Sequence, residues 1–108
     1  MTFEVFTLDS AEGDLADLMA YLRAKEGDAV AQKIYDGISG VITSLDNAPG
    51  RGHTPPDILG ATSEEIREVH FKPYRIIYQI DGNKVFVHIV ADGRRDIKSL
   101  LSRRLLRN

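Results

Sequence analysis

The stretch from Glu65 to Arg95 constrains this chain more than any other, because its side chains alternate in character. Tyr74, Ile76, Tyr78 and Ile80 are interleaved with Arg75, Ile77 and Gln79, and after Asp81-Gly82-Asn83 the alternation resumes at Val85, Val87 and Ile89. A period of two is that of a strand with one buried face. Two such runs around a Gly-Asn or Asp-Gly pair make a β-hairpin. Either choice of turn leaves the same two faces. Tyr74, Ile76, Tyr78, Ile80, Val85, Val87 and Ile89 are expected on one side, under helices; Arg75, Ile77, Gln79, Phe86, His88 and Val90 are expected on the other. A two-residue corner at Lys72-Pro73 would pair Phe71 with Tyr74 and His70 with Arg75. Proline lacks the donor that a central strand needs, which supports a turn there. Glu68 and His70 would then join the Arg75 face.

Upstream, Thr2 to Leu8 alternates and reads as a first strand. Asp9 with Glu12 three residues on has the form of a capping box. Leu15, Leu18, Met19 and Leu22 follow at helical spacing, up to Gly27. Asp28 can cap a second helix carrying Val30, Ile34, Ile38, Val41, Ile42 and Leu45. So short a connection makes the two helices antiparallel, covering one face of a sheet. Gly37 and Gly40 weaken the second helix by about 1 kcal/mol each relative to Ala. Either they permit close packing or they are tolerated weak spots.

Pro49 to Pro56 is a loop, continued by Asp57 to Glu64. Past Asp92-Gly93, Asp96 can cap a last helix with Ile97, Leu100, Leu101, Leu105 and Leu106 as its apolar stripe. Arg94, Arg95, Lys98, Arg103, Arg104 and Arg107 surround that stripe. The expected fold is α+β: a small antiparallel sheet with a mixed edge, covered on one face by an N-terminal helical hairpin, with a C-terminal helix. At 108 residues the chain is expected to form a single domain, 1–108.

With 43% apolar and 28% charged residues the sequence is that of a globular chain, not a disordered one. It contains neither an apolar run long enough to span a membrane nor the pattern of a signal peptide, so no membrane partner and a cytoplasmic location are expected. The absence of cysteine excludes disulfides and thiol chemistry. Net charge is −2, unevenly distributed: ten acids face four bases through Ser63, and ten bases face six acids from Glu64 onward. A basic C-terminal half suits nucleic acid, an acidic protein partner, or solubility alone.

Familiar catalytic patterns are missing. His53, His70 and His88 have no metal-ligand spacing, there is no Gly-rich phosphate loop and no G-x-S-x-G elbow, and neither a metal nor a cofactor is expected. A histidine beside Arg and Glu could serve general acid-base chemistry. Against that, His88 suits a packing role, and Glu68 suits a cross-strand ion pair with Arg75 or Arg67. Arg75, on a half-apolar face with Ile77, Phe86 and His88, suits contact with a partner.

The run from Arg67 to Gly82, with its Tyr74-Arg75-Ile76-Ile77-Tyr78 core, is followed by Val87 to Asp96 with its Gly93-Arg94-Arg95-Asp96 end. Together with the closing Arg103-Arg104-Leu105-Leu106, these segments resemble the RelE/ParE superfamily of toxins from bacterial type II toxin-antitoxin systems. The resemblance implies a small growth-inhibiting toxin of the plasmid-stabilisation kind, held in a hetero-oligomer by a cognate antitoxin. The RelE-like branch cleaves mRNA on the ribosome. If that chemistry applied, Arg75, His70, Arg94 and Arg95 would be its catalytic candidates.

Glu68 on the same face and Leu100 and Leu101 in the last helix depart from that branch, because an acid repels a phosphate and a leucine transfers no proton. The resemblance is closer to the ParE branch, which implies inhibition of DNA gyrase by protein contact. Arg75, Ile77, Phe86, His88, Arg94 and Arg95 are then the expected partner-binding residues. An inactive toxin-derived binding module is a further alternative.

Overall fold

The computed structural model describes residues 2–60 and 62–107. Met1, Ala61, Asn108 and the Arg107 side chain lie outside that description. The elements are β1 (Glu4–Thr7), α1 (Asp9–Glu26), α2 (Asp28–Ser44), β2 (Ile66–Phe71), β3 (Tyr74–Asp81), β4 (Lys84–Asp92) and α3 (Ile97–Arg107), with 3-10 turns at Pro49–Arg51 and Pro56–Ile58. The sheet order is β1-β4-β3-β2. β1 runs parallel to β4 and the other pairings are antiparallel. The mixed edge is therefore β1.

The hairpin closes through Gly82-Asn83, with Asp81 opposite Lys84 and Ile80 opposite Val85. Gly82 has φ +62°, a left-handed conformation that a side chain would disfavour. At the Lys72-Pro73 corner, Phe71 faces Tyr74 and His70 faces Arg75, as the two-residue corner requires. Asp96 caps α3, its carboxylate accepting from the Ser99 N–H at 3.1 Å and from the Ser99 hydroxyl at 2.9 Å.

The two other expected caps differ. α1 begins at Asp9 itself with Leu8 at the cap, and α2 begins after Gly27, neither with a side-chain cap bond. Asp9, Glu12 and Asp28 instead lie inside the first turns, where a carboxylate complements the positive end of the helix dipole.

The main core lies between the α1-α2 pair and one sheet face. It joins Ala11, Leu15, Ile38, Ile42 and Leu45 to Tyr74, Ile76, Tyr78, Val85, Val87 and Val90. A second core fills the opposite face, where Ile58, Ile97, Leu100 and Leu101 cover Ile66, Ile77, Ile89 and Ala91. The Arg75 face is thus covered at one end by α3 and the loop before β2.

A β-bulge explains why two residues exchange faces relative to the alternation. Tyr78 pairs with Val87 but Ile77 pairs with Ile89, leaving His88 as the extra residue. In an element of period two, one added residue reverses every later side chain. Ile89, expected under the helical hairpin, therefore packs against α3; Val90, expected on the Arg75 face, packs against the hairpin.

The bulge sits where β4 loses its outer neighbour, since β1 ends opposite Val87. Asp14 on α1 and Arg104 on α3 satisfy the backbone there. Asp14 accepts from the Val90 N–H at 2.9 Å, and Arg104 donates to the His88 carbonyl at 2.8 Å and to both Asp14 oxygens at 2.6 and 2.8 Å.

The two helix glycines have different reasons. A Cβ on Gly37 would overlap the Phe71 ring, whereas nothing lies within 4 Å of one on Gly40. Gly40→Ala is expected to raise unfolding free energy by about 0.5–1 kcal/mol, the ordinary helical gain, while Gly37→Ala loses that gain to displacement of the ring. Urea unfolding of both variants checks this, and equal stabilisation of both would refute the close packing.

Candidate functional site

The pairing of β2 with β3 sets Glu68 opposite Ile77 and His70 opposite Arg75, which puts all four side chains on one face. β2 is an edge strand, and the loop after α2 adds to it as a single bridge between His53 and Glu68. The His53 N–H donates to the Glu68 carbonyl at 3.2 Å and the Glu68 N–H to the His53 carbonyl at 2.8 Å. So close an approach requires Gly52, where a Cβ would stand 2.7 Å from the Glu68 carbonyl oxygen and overlap the Tyr78 hydroxyl. That hydroxyl donates to the Pro49 carbonyl, and Arg67 donates to the Gly52 carbonyl at 2.7 Å.

Glu68 is the centre of this arrangement, with 2% of its side chain exposed. Arg75 Nε reaches Oε1 at 2.8 Å and Nη2 reaches Oε2 at 3.1 Å. His70 Nε2 lies 2.9 Å from Oε1 and His53 Nε2 lies 3.6 Å from Oε2. From its other side Arg75 holds Asp57, Nη1 at 3.0 Å and Nη2 at 2.8 Å. Burial pushes the Glu68 carboxyl up, but hydrogen bonds from Arg75 and His70 outweigh it and hold the group below the usual range. The Arg75 hydrogen bond likewise lowers Asp57, and the two carboxylates raise Arg75 further above its already high value.

The consequence for chemistry is direct. Four of the five guanidinium N–H groups are committed to carboxylates, so Arg75 has no fork left for a phosphate. It would have to leave two charge-assisted pairs to bind one.

The other expected residues are dispersed. Ile77 is fully buried beneath α3, which removes it from any partner surface while that helix is in place. His88, the bulge residue, is also buried. Its Nε2 lies 2.9 Å from Gln79 Oε1, and burial, reinforced by the Arg104 charge, lowers its pKa and keeps it neutral.

Phe86 is half-buried and stacks on the exposed Phe6 with ring centroids 5.5 Å apart. Beside them an open groove of about 540 Å³ runs between Leu8, Phe86 and His88 and the end of α3 at Leu105 and Leu106. Arg94 and Arg95 are exposed beyond β4, and the Arg94 side chain reaches its neighbour Asp92 at 3.2 Å. Among the described residues no hydrogen bond or ion pair joins Arg75 to Arg94 or Arg95, although its side chain lies beside Gly93, and Leu100 and Leu101 are core residues.

Sequence reasoning missed Asp57, His53, Asp14 and Arg104. Each meets its partner across a long separation, and Asp57 and His53 lie in a loop without periodicity. Ile77 carried a usable signal: an apolar residue on the Arg75 face needs cover, and the Ile97-Leu100-Leu101 stripe needs something to bury it.

Comparison with known proteins agrees with this fold. A structure titled as a chromosomal ParDE toxin-antitoxin system from P. aeruginosa superposes with TM-score 0.68 at 14% identity, covering 84% of this chain and 96% of that one. The E. coli toxin RelE, solved as an arginine-substituted mutant in the free state, superposes with TM-score 0.61 at 14% identity, covering 99% and 98%. No curated protein sequence matches. The profile of the ParE toxin of the type II toxin-antitoxin system parDE matches residues 5–97. From β1 to the start of α3, then, sequence and topology agree, and the chain belongs to the ParE toxin family of type II toxin-antitoxin systems.

Proposed function

We propose that this ParE toxin acts in the cytoplasm by inhibiting DNA gyrase through protein contact, and that a cognate antitoxin silences it in a hetero-oligomer. Family membership supports the toxin and the antitoxin; one observation favours contact over nuclease chemistry. Arg75 is held by Glu68 and Asp57 at 2.8–3.1 Å, while Leu100 and Leu101 lie buried. The face that would carry RNA cleavage thus presents a neutralised arginine, and the α3 residues packed against it at Leu100 and Leu101 transfer no proton. No described helix is long and apolar enough to cross a membrane. The surface available to a protein is the Phe6-Phe86 pair with its groove and the exposed Arg94 and Arg95. The aromatic pair offers an apolar anchor, and Arg94 and Arg95, past the far end of β4, offer a separate basic contact, which together suit an acidic, amphipathic antitoxin segment.

Expression without the antitoxin is expected to arrest growth and induce the DNA-damage response while ribosome-bound mRNA stays intact. Arrest accompanied by mRNA cleavage would establish the RelE-like activity instead, and unhindered growth would mark an inactive binding module.

A further inference from the structure

The group around Glu68 contains an arrangement that the proposed function does not use. His53 Nε2, a Glu68 carboxylate oxygen and His70 Nε2 all lie within 4.8 Å of one another. We propose that these three side chains bind one divalent transition-metal ion of the Zn²⁺ class.

The donor set suits such an ion. Two imidazoles and one carboxylate are borderline to hard ligands that favour Zn²⁺ and Co²⁺ over Mg²⁺. Ligand atoms around a tetrahedral ion with bonds of about 2.0–2.2 Å stand roughly 3.2–3.6 Å apart. His70 Nε2 stands 2.9 Å from Oε1 and His53 Nε2 stands 3.6 Å from Oε2, so the two imidazoles flank different oxygens of one carboxylate, and a small turn of the exposed rings brings both to that spacing around a single oxygen.

The ligands are placed by different means. Glu68 and His70 are two apart on β2 and share a face; the backbone bridge to Glu68 fixes His53. Glu68 is buried, while the His53 and His70 side chains are 61% and 37% exposed. The imidazoles can therefore turn toward an ion that the carboxylate anchors, with a fourth position open to water.

Arg75 is the evident objection, since its positive charge sits on the same carboxylate. Two features answer it. Asp57 pairs with the far side of Arg75, so Asp57, Glu68 and Arg75 together carry one net negative charge. A carboxylate has roughly four acceptor positions, and Arg75 takes two and His70 one. Binding would exchange the His70 hydrogen bond for a metal bond and leave Arg75 orienting the carboxylate from behind, as outer partners of metal ligands do.

The test uses the full-length untagged chain, stripped with chelator and titrated with Co²⁺ and then Zn²⁺. One equivalent of Co²⁺ is expected to develop the visible absorption of a four-coordinate ion, and Zn²⁺ should abolish it. Zn²⁺ at a hundredfold excess over Kd should raise Tm by about 10 °C. His53→Gln and His70→Gln, both at half-open positions, should keep the fold by circular dichroism, weaken Co²⁺ binding at least roughly 30-fold and lose the Tm rise. Mg²⁺ should produce no rise. Absence of a saturable Co²⁺ band, or a band unchanged in both variants, would overturn the proposal.

Discussion

Replacing Glu68 by alanine is expected to lower the unfolding free energy by about 3 kcal/mol, among the largest single-residue effects in this protein. The carboxylate is buried and receives Arg75 twice, at 2.8 and 3.1 Å, so its loss leaves a largely buried guanidinium with Asp57 alone. Removing one partner of a buried pair costs more than the pair contributes, because the remaining charge stays desolvated. The double replacement Glu68→Met with Arg75→Met should therefore cost less than the sum of the single ones. Chemical unfolding in the presence of chelator measures this without interference from metal. Strict additivity would show that the two side chains are not coupled.

The same reasoning applies to charge reversal at Arg75. Glutamate there would set three carboxylates together, so any loss of partner binding in Arg75→Glu would report unfolding. Arg94→Glu and Arg95→Glu are the informative substitutions, since both side chains are exposed.

Arg104→Ala is expected to cost about 2–3 kcal/mol and to release α3 from the sheet. Arg104 closes two bonds to Asp14 and one to the His88 carbonyl, tying α3 to α1 and to the bulge, with the side chains of the pair only 14% and 16% exposed. Without it, Asp14 keeps the Val90 N–H but loses its countercharge. Hydrogen exchange should show lost protection from Leu100 to Arg104, while the helical hairpin and the β3 amides stay protected. Uniform loss across all elements would mean that α3 does not open separately.

These two groups show how far the sequence could be read. The hairpin turn between β3 and β4, the Lys72-Pro73 corner and the pairing of His70 with Arg75 follow from local chemistry, because turn residues act on their own neighbours; the choice of Gly82-Asn83 over Asp81-Gly82 does not, since both pairs suit a two-residue turn. The faces were legible as far as Val87. Beyond it, Val87-His88-Ile89-Val90-Ala91 is apolar on nearly every position, so no alternation remains to reveal that His88 is an extra residue.

Asp9 and Asp28 were misplaced by one position, since an acid serves a helix start either as a cap or in the first turn. Arg75 was recognised as unusual, but its second partner, Asp57, comes from a loop 18 residues away. That partner turns the exposed arginine expected from the strand pattern into an internal tie. His53 joined the site in the same way, through a backbone bridge that no sequence spacing encodes.

On the proposed function this toxin acts by protein contact and not by RNA chemistry. Supercoiling of relaxed plasmid by purified DNA gyrase, titrated with the purified toxin, tests it most directly. Supercoiling is expected to fall with toxin concentration and to recover when Arg94 and Arg95 are both reversed to glutamate, with the toxin fold unchanged. Full supercoiling at high molar excess of wild-type toxin would contradict the account.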